Sequence, residues 1–157
     1  MTFKLLGCLV LLFTGGFAAF RTADHEKKKL SVTEGWLELL FYIRTRIDCH
    51  LTPIEQIFEE ASPSLLHACM GQKDDRTPSQ LLKHSKGYLV EEAVHLLDSF
   101  SREIGTCYRE EQVKRCDYYI AALRKIRDKQ ITELPARLKT RGAMCICGTV
   151  GLAILLW

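Results

Sequence analysis

Two uncharged apolar runs, one at each end of the sequence, most constrain what this chain can fold into. They cover residues 5–20 and 143–157. As a helix rising ~1.5 Å per residue, the first run spans roughly 24 Å, slightly less than the ~30 Å hydrocarbon core of a bilayer. We therefore predict an N-terminal transmembrane segment at 1–21, a central domain at 22–141 and a C-terminal transmembrane segment at 142–157.

The charges beside the two runs predict how the chain is oriented. Arg21 and the lysines at 27–29 follow the first run, and Arg137, Lys139 and Arg141 precede the second. Basic residues are enriched on the cytoplasmic side of membrane segments. The central domain is therefore predicted to be cytoplasmic, with both ends of the chain directed across the membrane.

Each run also has an alternative interpretation. The small residues at 15–19 are compatible with a signal-peptide cleavage site, and the second run is compatible with a buried core helix. Four of the seven cysteines, Cys49, Cys69, Cys107 and Cys116, lie in the central domain and would be able to pair after secretion. We expect reduced thiols, as in a cytosolic domain, and keep a secreted, disulfide-bonded helical protein as the alternative.

The central domain has the apolar spacing of amphipathic helices, and no alternating strand pattern competes with it. Between 30 and 50, apolar residues recur every three or four positions and form one stripe: Val32, Trp36, Leu39, Leu40, Ile43 and Ile47. Further helices are predicted in the middle of the chain, and a long one follows Arg109 until Pro135 kinks or divides it. The predicted fold class is all-α, a membrane-anchored small helical bundle.

Residues typical of helix ends support these boundaries. Thr52 is predicted to be an N-cap, with Pro53 at the first helical position. The pairs Ser62–Pro63 and Thr77–Pro78 indicate two more helix starts, and Gly105 indicates a helix stop.

Motifs for catalysis and cofactor binding are missing from the sequence. It has no phosphate-binding glycine loop, dinucleotide fingerprint, HExxH or nucleophile elbow. Cys49 with His50, and His67 with Cys69, lack a usual zinc spacing, so a metal or redox module is the least favoured alternative. A net charge of only +3 does not indicate nucleic-acid binding. We predict a protein that is not an enzyme and takes no cofactor, metal, nucleic acid or small-molecule substrate.

Five segments, taken in order, resemble the stage III sporulation protein AB family of endospore-forming bacteria. They are residues 4–7, the helix 39–54 with Thr52 and Pro53, Gly105 with the residue before it, the segment from Arg109 to Gln112, and the leucine-rich end 148–157. The departures include Arg44 and Arg46, where the family usually has acidic residues, and Tyr108, where it has an acid.

The resemblance implies a role and no reaction. Proteins of this family belong to a channel complex, similar to secretion machines, that is assembled between mother cell and forespore. Their soluble domain is similar to the cytosolic domain of type II secretion platform proteins. The resemblance thus implies a non-enzymatic platform or adaptor in the mother-cell membrane around the forespore. The implied partners are the cytosolic secretion-type ATPase of the same complex, other membrane proteins of the sporulation channel, and membrane lipid.

One face of the first amphipathic helix is a candidate contact with that ATPase. At roughly 100° per residue, Leu37 and Phe41 lie outside the core stripe and form a small apolar patch, with Arg44 beside it. Because Arg44 stands where the family usually has an acid, the partner surface is expected to be acidic. The alternative is that this patch packs against another helix of the same domain.

Overall fold

In a computed structural model, the protein is helical, and the described residues are 2–50, 53–72, 75–106 and 108–155. Within them lie six α-helices: α1 (Thr2–His50), α2 (Ile54–Glu60), α3 (Pro63–Ala68), α4 (Pro78–Ser85), α5 (Glu91–Glu103) and α6 (Arg109–Leu155). A short 3₁₀ turn, Lys86–Tyr88, joins α4 to α5. These ranges contain no strand, which confirms the all-α prediction.

The chain divides into two compact units. The central unit is Lys28–Gln130, and the terminal unit combines Met1–Lys27 with Ile131–Trp157. The central unit lies inside the predicted central domain, 22–141, and contains the second part of α1, all of α2 to α5, and the first part of α6.

The core of the central unit is built on the predicted stripe of α1. All six stripe residues are buried, and Trp36, Leu39, Leu40 and Ile43 have no exposed surface. The other helices contribute buried side chains, which include Ile57, Phe58, Leu66, Leu81, Leu97, Phe100, Ile120 and Leu123. Because burying one such side chain contributes roughly 1.5–3 kcal/mol, this core stabilises the arrangement of the helices.

Two of the predicted helix caps are confirmed. The Ser62 hydroxyl accepts a hydrogen bond from the Leu65 amide at 3.3 Å, and the Thr77 hydroxyl accepts one from the Gln80 amide at 3.4 Å. Each helix then has proline at its first position, where an N–H would be unpaired in any case.

The start of α2 differs from the prediction. Pro53, predicted as the first helical residue, is instead the N-cap, so α2 begins one residue later than expected. The Pro53 carbonyl accepts from the Ile57 amide at 3.0 Å. Pro53 has φ −59° and an extended ψ at the N-cap. This φ is the one that the proline ring imposes, so proline fits the N-cap as well as the first helical position. Thr52, the predicted cap, lies outside the described residues.

At two positions the structure requires glycine, one for its backbone conformation and one for lack of space. Gly105 has φ +85°, in the left-handed region that favours glycine, and directly follows Ile104, the C-cap of α5, as the predicted helix stop. Gly35 brings α1 close to the end of α3, because a Cβ there would lie 2.7 Å from the carbonyl carbon of Ala68.

The terminal unit consists of the first part of α1 and the last part of α6. Among its described side chains, Glu26 is buried, and one of its carboxylate oxygens lies 4.0 Å from a guanidinium nitrogen of Arg137. Pro135 lies inside α6 and does not divide it, contrary to one of the two predicted effects. A proline removes one N–H and one helical hydrogen bond, which a long helix with many such bonds can lose.

The predicted transmembrane segments at 1–21 and 142–157 find no support in the structure. Over the residues that are described, none of the helices offers a stretch that is both long and apolar enough to cross a bilayer. Phe17, Phe20 and Met144 of these segments are exposed.

Candidate functional site

A groove at one end of the central unit gathers residues that are far apart in the sequence. We call it the end groove. It has a volume of about 630 Å³, and its apolar lining consists of Ile47, Pro53, Ile54, Pro78 and Ile104. α1 ends, α2, α4 and α6 begin, and α5 ends around it. Three helix starts therefore turn their amide groups towards the same end of the unit.

Polar side chains form the rest of the end groove. Arg109 and Gln112 come from the first turn of α6, Glu55 from α2, and Thr77 with Ser79 from the start of α4. Ser101, Gly105 and Thr106 complete the lining. The lining therefore combines five apolar residues with hydroxyls, one amide, one carboxylate and one guanidinium.

Most of the motif residues picked out in the sequence lie in this groove. Pro53, Gly105, Arg109 and Gln112 all line it, although the first and the last are separated by most of the central unit. Nothing in the sequence pointed to Ser79 or Ser101 as groove residues, because a lone serine within a helix carries no signal of its own. Only the packing of α4 beside α5 places them there.

A chain of alternating charges connects α1 with α6 beside the groove. Arg109 donates to the Asp48 backbone carbonyl and lies 3.1 Å from its carboxylate. Asp48 also lies 3.6 Å from Arg44, which donates to Asp117 at 2.8 Å. The hydrogen bond from Arg44 to Asp117, followed by the attraction of that carboxylate, raises the pKa of Arg44 above its usual value. The network holds the end of α1 to the start of α6.

The three predicted partner-contact residues have different environments. Leu37 belongs to the core, with only 6% of its surface exposed, so the expected exposure of this side chain is wrong. Phe41 is 41% exposed, and the guanidinium of Arg124 lies 5.5 Å from the centre of its ring. Arg44 has the internal acidic partners described above. Their contact with an ATPase stays a prediction, for which Phe41 offers the most accessible surface.

Four cysteines have described side chains, and each of these is a single thiol. Cys49 and Cys147 are exposed, whereas Cys69 and Cys116 are buried. Burial raises the pKa of the Cys69 thiol to about 12, with a smaller contribution from Glu38, and raises that of Cys116 to about 11. Among the described residues, no group of three histidine, cysteine or acidic side chains is placed to hold a metal ion.

Comparison with known proteins decides the family. The sequence model of stage III sporulation protein AB matches residues 4–157, which is almost the entire chain. The chain belongs to the stage III sporulation protein AB family. Comparisons with curated proteins and with solved structures found no match.

Two arginines of α1 form ion pairs with acidic residues of other helices. Arg44 and Arg46 stand at positions where we expected acidic residues. Arg44 pairs with Asp117 at 2.8 Å, and Arg46 pairs with Glu60 at 2.9 Å. Both guanidinium groups thus have an acidic partner within the central unit.

Proposed function

We propose that this member of the stage III sporulation protein AB family is a non-enzymatic adaptor of the sporulation channel between mother cell and forespore. In this proposal the central unit is cytoplasmic and binds the cytosolic secretion-type ATPase of the complex. The observation that carries the proposal is the end groove, where Pro53, Gly105, Arg109 and Gln112 converge. These four residues belong to three of the five segments that carry the family resemblance.

The lining of the end groove favours binding over catalysis. Arg109, its one basic residue, is engaged by Asp48, and Glu55 is exposed on the rim. A general acid–base site needs titratable groups within hydrogen-bond reach of a reacting atom. The groove instead offers five apolar residues surrounded by hydroxyls, which suits the side chains of a bound protein segment.

In this proposal the protein is held at a membrane by the apolar runs 5–20 and 143–157. Its support is the absence of charge in both runs and the basic residues on their inner flanks. Other membrane proteins of the channel and membrane lipid are the partners proposed for the terminal unit. Carbonate extraction of membranes that contain the full chain tests this part, and complete release of the protein would reject it.

Two matched tryptophan variants test the end groove. Glu55→Trp places an indole into the groove, and Glu59→Trp places one on an exposed position of the same helix, outside the lining. We expect Glu55→Trp to weaken binding of the full chain to the ATPase at least tenfold, and Glu59→Trp to leave it unchanged. Equal affinities for both variants and for the unchanged protein would rule out the groove as the binding site.

The alternative function, a secreted helical protein with paired cysteines, has less support. Cys69 and Cys116 are buried as single thiols. A shift in migration between reducing and non-reducing gels, together with loss of residues 1–20 from the mature protein, would favour the alternative.

A further inference from the structure

A second groove runs between α4 and α5, and its lining carries more positive than negative charge. We call it the α4–α5 groove. Its volume is about 540 Å³, its floor includes Leu82 and Val94, and its rim includes Lys83, Lys86 and Arg102. Asp98 is the one carboxylate in its lining, and it pairs with Arg102 at 2.8 Å. The remaining lysines leave an excess of positive charge.

The two lysines have no acidic partner in the described part of the chain. Both are exposed, and neither forms an ion pair there. His95, the other basic group of the lining, lies 3.8 Å from Glu91, one helical turn away. Two uncompensated ammonium groups on one rim favour a negatively charged occupant, since opposite charges across an interface steer association and set its specificity.

The α4–α5 groove adjoins the end groove. Ser79 and Ser101 line both cavities, one from the start of α4 and the other from the last turns of α5. A protein segment that lies in the end groove can therefore continue past these two hydroxyls onto the surface between Lys83 and Arg102. Along this path the lining changes from isoleucine-rich to cationic.

We propose that the partner segment bound in the end groove extends along the α4–α5 groove and carries acidic side chains there. Its apolar part would contact Ile54 and Ile104, and its acidic part would pair with Lys83 and Lys86. This inference rests on the proposed function of the end groove and adds the chemistry of the partner. Leu82 and Val94 give the segment an apolar contact below its charged groups.

Synthetic peptides test this pairing with the full chain. The probe is a peptide with an isoleucine-rich half and a glutamate-rich half. It is made in two versions, with either half at the N-terminus. The comparison peptides have lysine in place of every glutamate. We expect the glutamate peptide to bind at least tenfold more tightly than the lysine peptide. Its affinity should fall as salt is raised, because screening weakens exposed ion pairs. Equal binding of the two peptides would overturn the inference.

Charge reversal of the two groove lysines tests whether the glutamate-rich half of the peptide lies in the α4–α5 groove. Lys83→Glu combined with Lys86→Glu should lower the affinity for the glutamate peptide roughly tenfold and raise that for the lysine peptide. The matched control combines Lys114→Glu with Lys125→Glu, which changes two exposed lysines of α6 outside the α4–α5 groove. If both double variants lower the affinity equally, the effect is one of total charge and the inference is wrong.

The same variants separate this inference from the proposed function. One outcome is that Glu55→Trp abolishes ATPase binding while the two lysine double variants bind the glutamate peptide with equal affinity. In that case the end groove remains a binding site, and the acidic extension is rejected. If Glu55→Trp has no effect, the proposed function fails. Vesicles with and without phosphatidylglycerol form the last arm. If the Lys83 and Lys86 changes abolish vesicle binding and leave peptide binding intact, the lysines recognise lipid headgroups, and the inference is rejected.

Discussion

The indole N–H of Trp36 donates a hydrogen bond to the hydroxyl of Ser85 at 3.1 Å, inside the central unit. Both residues have no exposed surface. The bond joins α1 to α4, and the Ser85 hydroxyl in turn donates to a backbone carbonyl of α4, that of Leu81, at 3.1 Å. The indole nitrogen of Trp36, the largest side chain of the core, therefore has a hydrogen-bond partner in the small side chain of Ser85.

Removal of the acceptor should destabilise the protein. Ser85→Ala leaves the Trp36 N–H buried without a partner, which costs roughly 1–3 kcal/mol in the free energy of unfolding. In a Trp36→Phe background the same change should cost clearly less, because no donor remains. Urea denaturation of the four forms measures this coupling, and an equal cost of Ser85→Ala in both backgrounds would contradict it.

A methyl group at Gly35 should also be destabilising, for a steric reason. The added Cβ would lie 2.7 Å from both the carbonyl carbon and the carbonyl oxygen of Ala68, so α1 and α3 would have to move apart. Overpacking of this kind costs roughly 1–3 kcal/mol. Gly87→Ala is the control, because no atom lies within 4 Å of its Cβ position. Thermal denaturation should show a lower midpoint for Gly35→Ala only.

The thiols should differ in their reactivity with iodoacetamide. The thiolate is the reactive form, and the raised pKa values of Cys69, about 12, and Cys116, about 11, keep both protonated at pH 8. Cys49 is exposed and should be alkylated in the native protein. Mass spectrometry of the peptides reads out each site. Raising the pH towards 11 should accelerate reaction at Cys116 before Cys69, and alkylation of Cys69 in native protein at pH 8 would show that its environment is not as described.

Phe41 and Leu37 should respond differently to truncation. Phe41→Ala removes a half-exposed ring beneath Arg124, so we expect weaker binding to the ATPase with a stability change within about 1 kcal/mol. Leu37→Ala removes a core side chain and should cost roughly 2–5 kcal/mol. Binding assays and denaturation of both variants provide the measurement. An unfolded Phe41→Ala protein would make Phe41 a core residue and reject its role as a contact.

Helix periodicity and end signals predicted much of the central unit. The stripe from Val32 to Ile47 is buried, Ser62 and Thr77 cap their helices, and Gly105 ends α5. Each of these signals is local, because a cap or a stripe involves residues within a few turns of each other.

The errors come from interactions that the sequence pattern does not contain. Leu37 is buried because α1 is covered from several sides: by α3 at Gly35, by α4 at Trp36, and by α6 at Phe41 and Arg44. One apolar stripe describes contact with one neighbour, and the burial of Leu37 agrees with the alternative kept for this patch, packing within the same domain. The end groove was missed for the same reason, since its lining comes from five helices and the turns between them.

The ion pair between Arg44 and Asp117 spans 73 positions of the chain. A ribosome that adds ~5–20 residues per second needs roughly 4–15 s to pass from the first residue to the second. During that interval α6 has not reached Asp117, so it cannot yet cover the side of α1 that carries Arg44. The Arg44–Asp117 pair can therefore form only after the chain of α2 to α5 has been synthesised.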